Sequence, residues 1–505
     1  MTDRPGAGGL IVGLVLPLAI LAAPVRAETL AEAIALAYDS NPTLQGQRAQ
    51  LRALDETYVQ AEAGYRPTAT LQATVTTDSN NFTGTQTGVP GSNQPVLQAQ
   101  SQTSGAAISV TQPVFTGGRV AAQVSAAEAN ILAGRETLRG TEQTVLRYVV
   151  NAYADVRRDQ RIVEVLQNDV ALLFAQLKES RDRFTVGDIT KTDVAQTEAR
   201  VAASQAQLAN ARAQLSNSRA EYDSVVGKMP ENLAPEPPLT KHLPASLDMA
   251  FEWAELNSPQ IGQADFTEQG SAAKLAEAKA QTRPTLSLQG TAGYSGGSFA
   301  TPFNLGGPSV GGLGSPFMHY SHDLTASAVV TFPIFTGGTT SSQIRQAAES
   351  NNADRIGIET ARRQVLLNVS QAWNALIGSR AQVEADEVQV KAANLAFEGS
   401  RQESRVGLRS TLDVLISEEN FSAAELALVN ANHDEYVAAA DLLAASGAIY
   451  ARDFDAQPDS YDPKTNFNHA THAWPWSPWA PAVADLDKVG APRIQPRPQP
   501  VSPNP

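Results

Sequence analysis

Two halves of this chain repeat each other about 220 residues apart, and that duplication limits what the chain can fold into. The clearest copy reads Gln112-Pro113-Val114-Phe115-Thr116-Gly117-Gly118 in the first half and Phe332-Pro333-Ile334-Phe335-Thr336-Gly337-Gly338 in the second. Each copy follows a short run of alternating apolar and polar residues and precedes a long stretch of helical periodicity. Each is therefore a strand-to-helix pivot. Its proline lacks the N–H that a sheet ladder needs, and its Gly-Gly pair lets the backbone turn. The pivot residues are Pro113, Phe115, Gly117 and Gly118, with Pro333, Phe335, Gly337 and Gly338 in the second copy.

The rest of the repeat follows the same order twice. Ser40-Asn41-Pro42 is answered by Asn257-Ser258-Pro259, and Arg66-Pro67-Thr68 by Arg283-Pro284-Thr285. Strands are predicted at about 68–77, 105–114, 285–294 and 324–333, where apolar and polar residues alternate with a period of two. In the first, Leu71, Ala73 and Val75 alternate with Thr70, Gln72 and Thr74. After each pivot, apolar residues recur every seven positions. Val149, Val156, Val163, Val170, Leu177 and Phe184 lead to a break at Val186-Gly187-Asp188. Val194, Val201, Leu208, Leu215 and Tyr222 then return. In the second half Val369, Leu376, Val383, Val390 and Phe397 go out, and Val414, Phe421, Leu428 and Leu442 come back, with Glu435 interrupting the series. A strict seven-residue period means left-handed coiling against partners, and the short break makes each pair an antiparallel helical hairpin. The fold expected is α+β, mostly α, with an internally duplicated helix–β-hairpin–long-helix unit.

The chain divides accordingly. Residues 1–27 read as an export signal, with Arg4, the apolar run Leu10 to Ala23, and Val25-Arg26-Ala27 as a small-residue cleavage site. The first repeat spans 28–229, a proline-rich linker 230–245, and the second repeat 246–450. The tail at 451–505 carries Trp474, Trp476 and Trp479 among prolines and reads as disordered or polyproline-like. Its tryptophans are candidates for a docking patch.

Several functions are excluded. Net charge is −14, which argues against nucleic acid as a partner. The chain has no cysteine, so disulfides, thiol chemistry and lipidation on cysteine are out. The histidines are scattered, and the glycine-rich run Gly306 to Gly314 lacks the strand, lysine and helix of a phosphate loop. No catalytic constellation stands out, and no cofactor or metal is expected.

The alternating strands suit either a soluble sandwich or a water-filled barrel with its apolar side in lipid. Four strands cannot close a barrel, and open edges are not tolerated in lipid. In the second case several chains must pool their strands, and three would give twelve.

The duplicated layout and the pivots resemble the TolC family of outer-membrane efflux and secretion ducts. So do the two hairpin tips, Val186-Gly187-Asp188-Ile189-Thr190-Lys191-Thr192-Asp193-Val194 and Val406-Gly407-Leu408-Arg409-Ser410-Thr411-Leu412-Asp413-Val414. The resemblance covers about Leu30 to Tyr450. It implies a homotrimer with a twelve-stranded barrel in outer-membrane lipid and a helical tunnel across the periplasm. It also implies docking to a periplasmic adaptor (a membrane fusion protein) and to an inner-membrane ABC or proton-driven pump. Thr192, Asp193, Arg405, Arg409 and Asp413 match the family's gate region, where Arg409 would tie to the Thr192–Asp193 turn. Arg405 would replace a tyrosine that is Ser404 here, and Ile416 stands where a second ring carboxylate is expected. Val186, Gly187, Val406, Gly407 and Leu408 match the adaptor-contact tips. Read without the resemblance, Asp193 and Asp413 are equally helix-start residues, and the Val-Gly pairs plain helix ends. A periplasmic coiled-coil adaptor or scaffold without a barrel remains an alternative at this level, and the exported substrate stays open.

Overall fold

The computed structural model describes residues 27–82, 97–300, 319–454, 456, 461–472 and 478–497. Nearly all of the expected signal segment, the centres of the two inter-strand loops, and Trp474 and Trp476 lie outside the described residues.

The first repeat comprises α1 (Leu30–Ser40), α2 (Pro42–Glu62), β1 (Thr68–Phe82), β2 (Leu97–Phe115), α3 (Arg119–Thr185) and α4 (Lys191–Val226). The second comprises α5 (Leu247–Asn257), α6 (Pro259–Ala280), β3 (Thr285–Ala300), β4 (His319–Thr331), α7 (Thr339–Arg405) and α8 (Thr411–Ala445). The Asn41-Pro42 and Ser258-Pro259 signals separate helix pairs as expected, because proline is accommodated at the first helical position. α3 and α7 each have 67 residues, a rod of about 100 Å. Among the described residues no helix is long and apolar enough to cross a membrane.

The strands form one antiparallel sheet in the order β1-β2-β3-β4, so β1 and β4 are open edges. Its register lines up the sequence alternation across all four strands. Leu71 pairs with Ile108, Ile108 with Ala292, and Ala292 with Leu324. Val110 pairs with Gly290 and Gly290 with Ala326. One face is thus apolar, while Gln72, Ala107, Gly293 and Asp323 fall on the other. Leu71 is 72% exposed and Leu324 84%, so the chain leaves this face uncovered.

The strands run longer than expected, and the two pivots differ. β2 continues through Pro113 to Phe115, with a bulge between them. The missing N–H of Pro113 is therefore absorbed by a register shift instead of ending the ladder. β4 ends at Thr331, so Pro333 lies outside the sheet. The glycines behave alike: φ is 72° and 86° at Gly117 and Gly118, and 64° and 86° at Gly337 and Gly338. These left-handed values are where a Cβ is penalised.

The seven-residue stripes form the helical core. Val149, Val156, Tyr153, Tyr222, Val369 and Leu442 are all fully buried. Phe184, the last of its stripe, is half exposed because the hairpin ends one turn later. The charged interruption at Glu435 is met by Arg380 of α7, Nε to Oε1 3.3 Å. Glu28, the expected first mature residue, docks at the middle of the rods. Its backbone bridges Leu233 of the linker. Tyr153 Oη donates to its carbonyl (3.0 Å) and Tyr222 Oη to its carboxylate (3.0 Å).

The tail corrects the expectation of disorder from 451 onward. It carries α9 (Pro463–His472) and α10 (Ala480–Asp487), and both are packed. Asn466 Nδ2 donates to the buried Asp55 Oδ2 of α2 at 2.7 Å, beside an edge contact of Tyr58 with Phe467. The Asp487 carboxylate accepts from Thr116 N (2.6 Å), Thr116 Oγ1 (2.6 Å) and Gly118 N (3.0 Å), capping the start of α3. Arg497 then reaches the carbonyls of Ser258 and Glu255 at the junction of α5 and α6. The tail is a strap, and polar composition did not reveal it because its partners lie hundreds of residues away.

Candidate functional site

The two hairpin tips are built alike. α3 and α7 each end on a glycine at φ 79°, Gly187 and Gly407. Asp188 N donates back to Arg183 O (2.9 Å) and Leu408 N to Glu403 O (2.9 Å), closing the orphan carbonyls of each rod. The next helices start on capping boxes. Thr190 and Asp193 exchange bonds at 2.8 and 3.3 Å, as do Ser410 and Asp413 at 3.1 and 3.2 Å. These bonds from Thr190 hold the Asp193 carboxyl below its ordinary range, and those from Ser410 do the same for Asp413. A cross-turn ion pair braces each tip, Arg183 to Asp188 at 2.7 Å and Arg409 to Glu403 at 2.9 Å. Outside these braces the tips are bare: Val186 is 79% exposed, Val406 71% and Leu408 77%.

Within the chain, then, Arg409 is held by Glu403 of its own hairpin and not by the Thr192–Asp193 turn. Asp193 and Asp413 both serve as helix-start residues. Thr192 and Arg405 are exposed on separate hairpins. The structure brings Asp193 to Thr190, Asp413 to Ser410 and Arg409 to Glu403, and the charge of Arg409 also reaches Asp413 on its own hairpin, but none of the five expected gate residues is hydrogen-bonded or ion-paired to another across the hairpins.

What does join the hairpins lies further from the tips, and the sequence reading missed it. Arg200 of α4 reaches across to α8, Nε to Glu418 Oε2 at 3.4 Å and Nη1 to Glu419 Oε1 at 3.4 Å. Glu418 also lies against Asp169 of α3, and Ser204 of α4 donates to Asp169. Glu418 and Asp169 are buried. Burial pushes the Glu418 carboxyl up to about 8, the Asp169 carboxylate adds to the rise, and Arg200 opposes it. Leu173, Leu177, Val201 and Leu415 pack into one apolar cluster across the same three helices.

Further polar layers sit within the first hairpin. Ser218 donates to the buried Asp159 at 2.5 Å, and Ser180 meets Thr197 at 3.4 Å. The second hairpin has Ser400 against Ser417 at 3.0 Å. A signal for these was present. Asp159, Ser180, Thr197, Ser204, Ser218, Ser400 and Ser417 each stand three residues after a stripe residue, on the seam side of the helix. Such satisfied polar layers fix register between packed helices.

Comparison with known proteins agrees with this architecture. The family described as Outer membrane efflux protein matches residues 33–228 and 251–448, one segment in each repeat. The chain is 32% identical over 447 residues to the outer membrane efflux protein BepC of Brucella suis biovar 1, covering 88% of this chain and 91% of that one. It is 23% identical over 352 residues to the outer membrane protein TolC of Escherichia coli K12, covering 69% and 70%. Among solved structures, the outer-membrane channel OprN superposes with a TM-score of 0.67 at 19% identity, over 84% of this chain and 90% of that one.

Proposed function

Because this chain belongs to the outer membrane efflux protein family, we propose that it works as the exit duct of a tripartite export system, a passive conduit from periplasm to exterior gated at its hairpin tips. The observation that carries the reading is the sheet: four strands with an uncovered apolar face, two open edges, and two rods of about 100 Å leading away from it. A strand pair with one face in lipid needs closed edges, so β4 of one copy pairs with β1 of the next. Three copies give a twelve-stranded barrel, and the rods continue it as a helical tunnel. The outer side of α7 supports the same assembly. Ile356, Ile377, Val388 and Leu395 are exposed at helical spacings, which is a face awaiting a neighbouring copy.

The tips are the surfaces for a periplasmic adaptor, which couples the duct to an inner-membrane ABC or proton-driven pump. Val186, Gly187, Val406, Gly407 and Leu408 supply the bare contact. Thr192, Asp193, Arg405, Arg409 and Asp413 ring the mouth, and ties between them form across copies or on closure. Cargo is protein through type I secretion, small molecules, or both. The alternative of a scaffold without a barrel is set aside, since the matched family is one of outer-membrane channels and an adaptor has no use for an apolar sheet face.

Fractionation of cells and native mass measurement in mild detergent test this reading. The protein is expected in outer membranes as a trimer. A soluble periplasmic monomer would overturn it.

A further inference from the structure

The carboxy-terminal strap carries an exposed surface that its packing on the chain leaves unexplained. α10 packs where β2 leaves the sheet, and Trp479 Nε1 donates to Gln112 Oε1 at 3.0 Å. Side chains alternate along a strand. Gln112 therefore falls on the same face of β2 as Ile108 and Val110, the apolar face. α10 thus lies on the apolar side of the sheet, at its helical end.

α10 has two faces. Val483 and Asp487 turn inward, Asp487 onto the α3 start. On the outer side stand Leu486 of α10, Trp479 at its N-cap and Val489 just past its end, exposed at 61%, 44% and 53%. Asp485 and Lys488 pair beside them at 2.7 Å, both in solvent. An indole with its N–H on a polar partner and its ring facing outward is the chemistry of a membrane–water interface. A short helix with an apolar outer face and charged flanks suits the headgroup–acyl boundary. The occupant follows from continuity: through Trp479 the surface meets the sheet at Gln112, which pairs with Leu288 at the lower border of the apolar sheet face.

We propose that α10 and the Trp479–Val489 surface rest in the periplasmic leaflet of the outer membrane, as an amphipathic foot beside the barrel. The strap then links the membrane surface to the first pivot through Asp487. This inference rests on the sheet facing lipid as proposed above, and the test separates the two.

The chain has no native cysteine, so single labels are clean. Nitroxides are placed on Leu486→Cys, Val489→Cys, Leu71→Cys on the sheet face, and Val186→Cys at the tip, in the full-length protein reconstituted into phospholipid nanodiscs. Accessibility to oxygen and to a water-soluble nickel chelate is read for each. Leu71 should favour oxygen strongly and Val186 nickel. Leu486 and Val489 should fall between them, with a marked loss of nickel access relative to Val186. If both read like Val186 while Leu71 reads as lipid-exposed, the foot is wrong and the barrel stands. If both are shielded from either probe, a protein surface covers α10 and the inference fails. If Leu71 itself reads as water-exposed, the lipid-facing sheet is wrong and the foot falls with it.

Discussion

Arg200 of the first hairpin and Glu418 of the second are bridged, Nε to Oε2, at 3.4 Å, and the carboxyl that Arg200 meets also lies against the buried Asp169. Two buried carboxyls in contact cannot both ionise without repulsion, so the proton on Glu418 is part of the joint. The charged groups acting on Glu418 are Asp169 on α3 and Arg200 on α4, and Arg200 also pairs with the neighbouring Glu419.

The pH dependence follows from that proton. With the hairpins apart, Glu418 would be solvated and titrate at its ordinary value of 4.5; joined, it titrates at about 8. The joined state binds the proton more tightly. Its stabilisation is therefore fully present below the ordinary value, declines as pH rises, and is lost above about 8. Distances between spin labels on Val186→Cys and Val406→Cys should lengthen and broaden between about pH 5 and about pH 9. Glu418→Gln, which keeps a donor for Asp169 at every pH, should abolish the dependence. An unchanged pH response in that variant would show that the joint is not the titrating element.

The tips give a second prediction. Thr190→Ala and Ser410→Ala each remove an N-cap, so each should destabilise its helix start by about 1 kcal/mol. The measurement is amide hydrogen exchange, faster in the first turn of α4 or α8 and unchanged in the polar layers above. Protection lost equally in both places would mean that the tip is not an independent unit.

Gating at the mouth is tested by charge removal. Arg409→Ser with Asp193→Ala should raise single-channel conductance in lipid bilayers without loss of trimer. Because Arg409 is held by Glu403 within its own hairpin, Glu403→Gln alone should leave conductance at the parent value. Such exposed pairs are worth only about 0.2–1 kcal/mol each, so it is their repetition around a ring that holds a mouth shut. If Glu403→Gln opens the channel as far as the double variant, the brace within the tip is the gate and the tie across hairpins is not. Asp413→Asn should instead weaken block by divalent cations, since carboxylates facing one lumen concentrate them.

Much of this was legible in the sequence, for a physical reason. Period-two and period-seven patterns are imposed by burial on one side of an element. Leu71 to Val75 and Val149 to Tyr222 therefore announce sheet face and helix seam by pattern alone. Asp193 and Asp413 were legible as helix-start residues, and the structure adds their partners Thr190 and Ser410. Contacts between residues far apart in the chain were not. Glu403 stands six residues before Arg409, but nothing in its spacing decides between it and the other hairpin. Asp169, Arg200 and Glu418 come from three helices, and only packing brings them together. The same holds for Asp487, one acid in a proline-rich tail, whose role depends on Thr116 and Gly118.

The duplicated pivots supply an internal control for the strap. Gly118 and Gly338 share φ 86°, so an added Cβ is strained equally at each. Their surroundings differ: a Cβ on Gly118 would collide with Val489 O, whereas one on Gly338 meets nothing within 4 Å. Gly118→Ala should therefore cost more stability than Gly338→Ala, and the excess reports the docked tail. Asp487→Ala should cost about 2 kcal/mol, the scale for losing hydrogen bonds to a charged group. In the Asp487→Ala background the strap is loosened, Val489 is free to move away, and the two glycine substitutions should become equal in a thermal or denaturant melt of the trimer. If Gly118→Ala stays more costly there, the excess arises from Arg283, whose Nη1 donates to Gly117 O at 2.9 Å, and not from the strap.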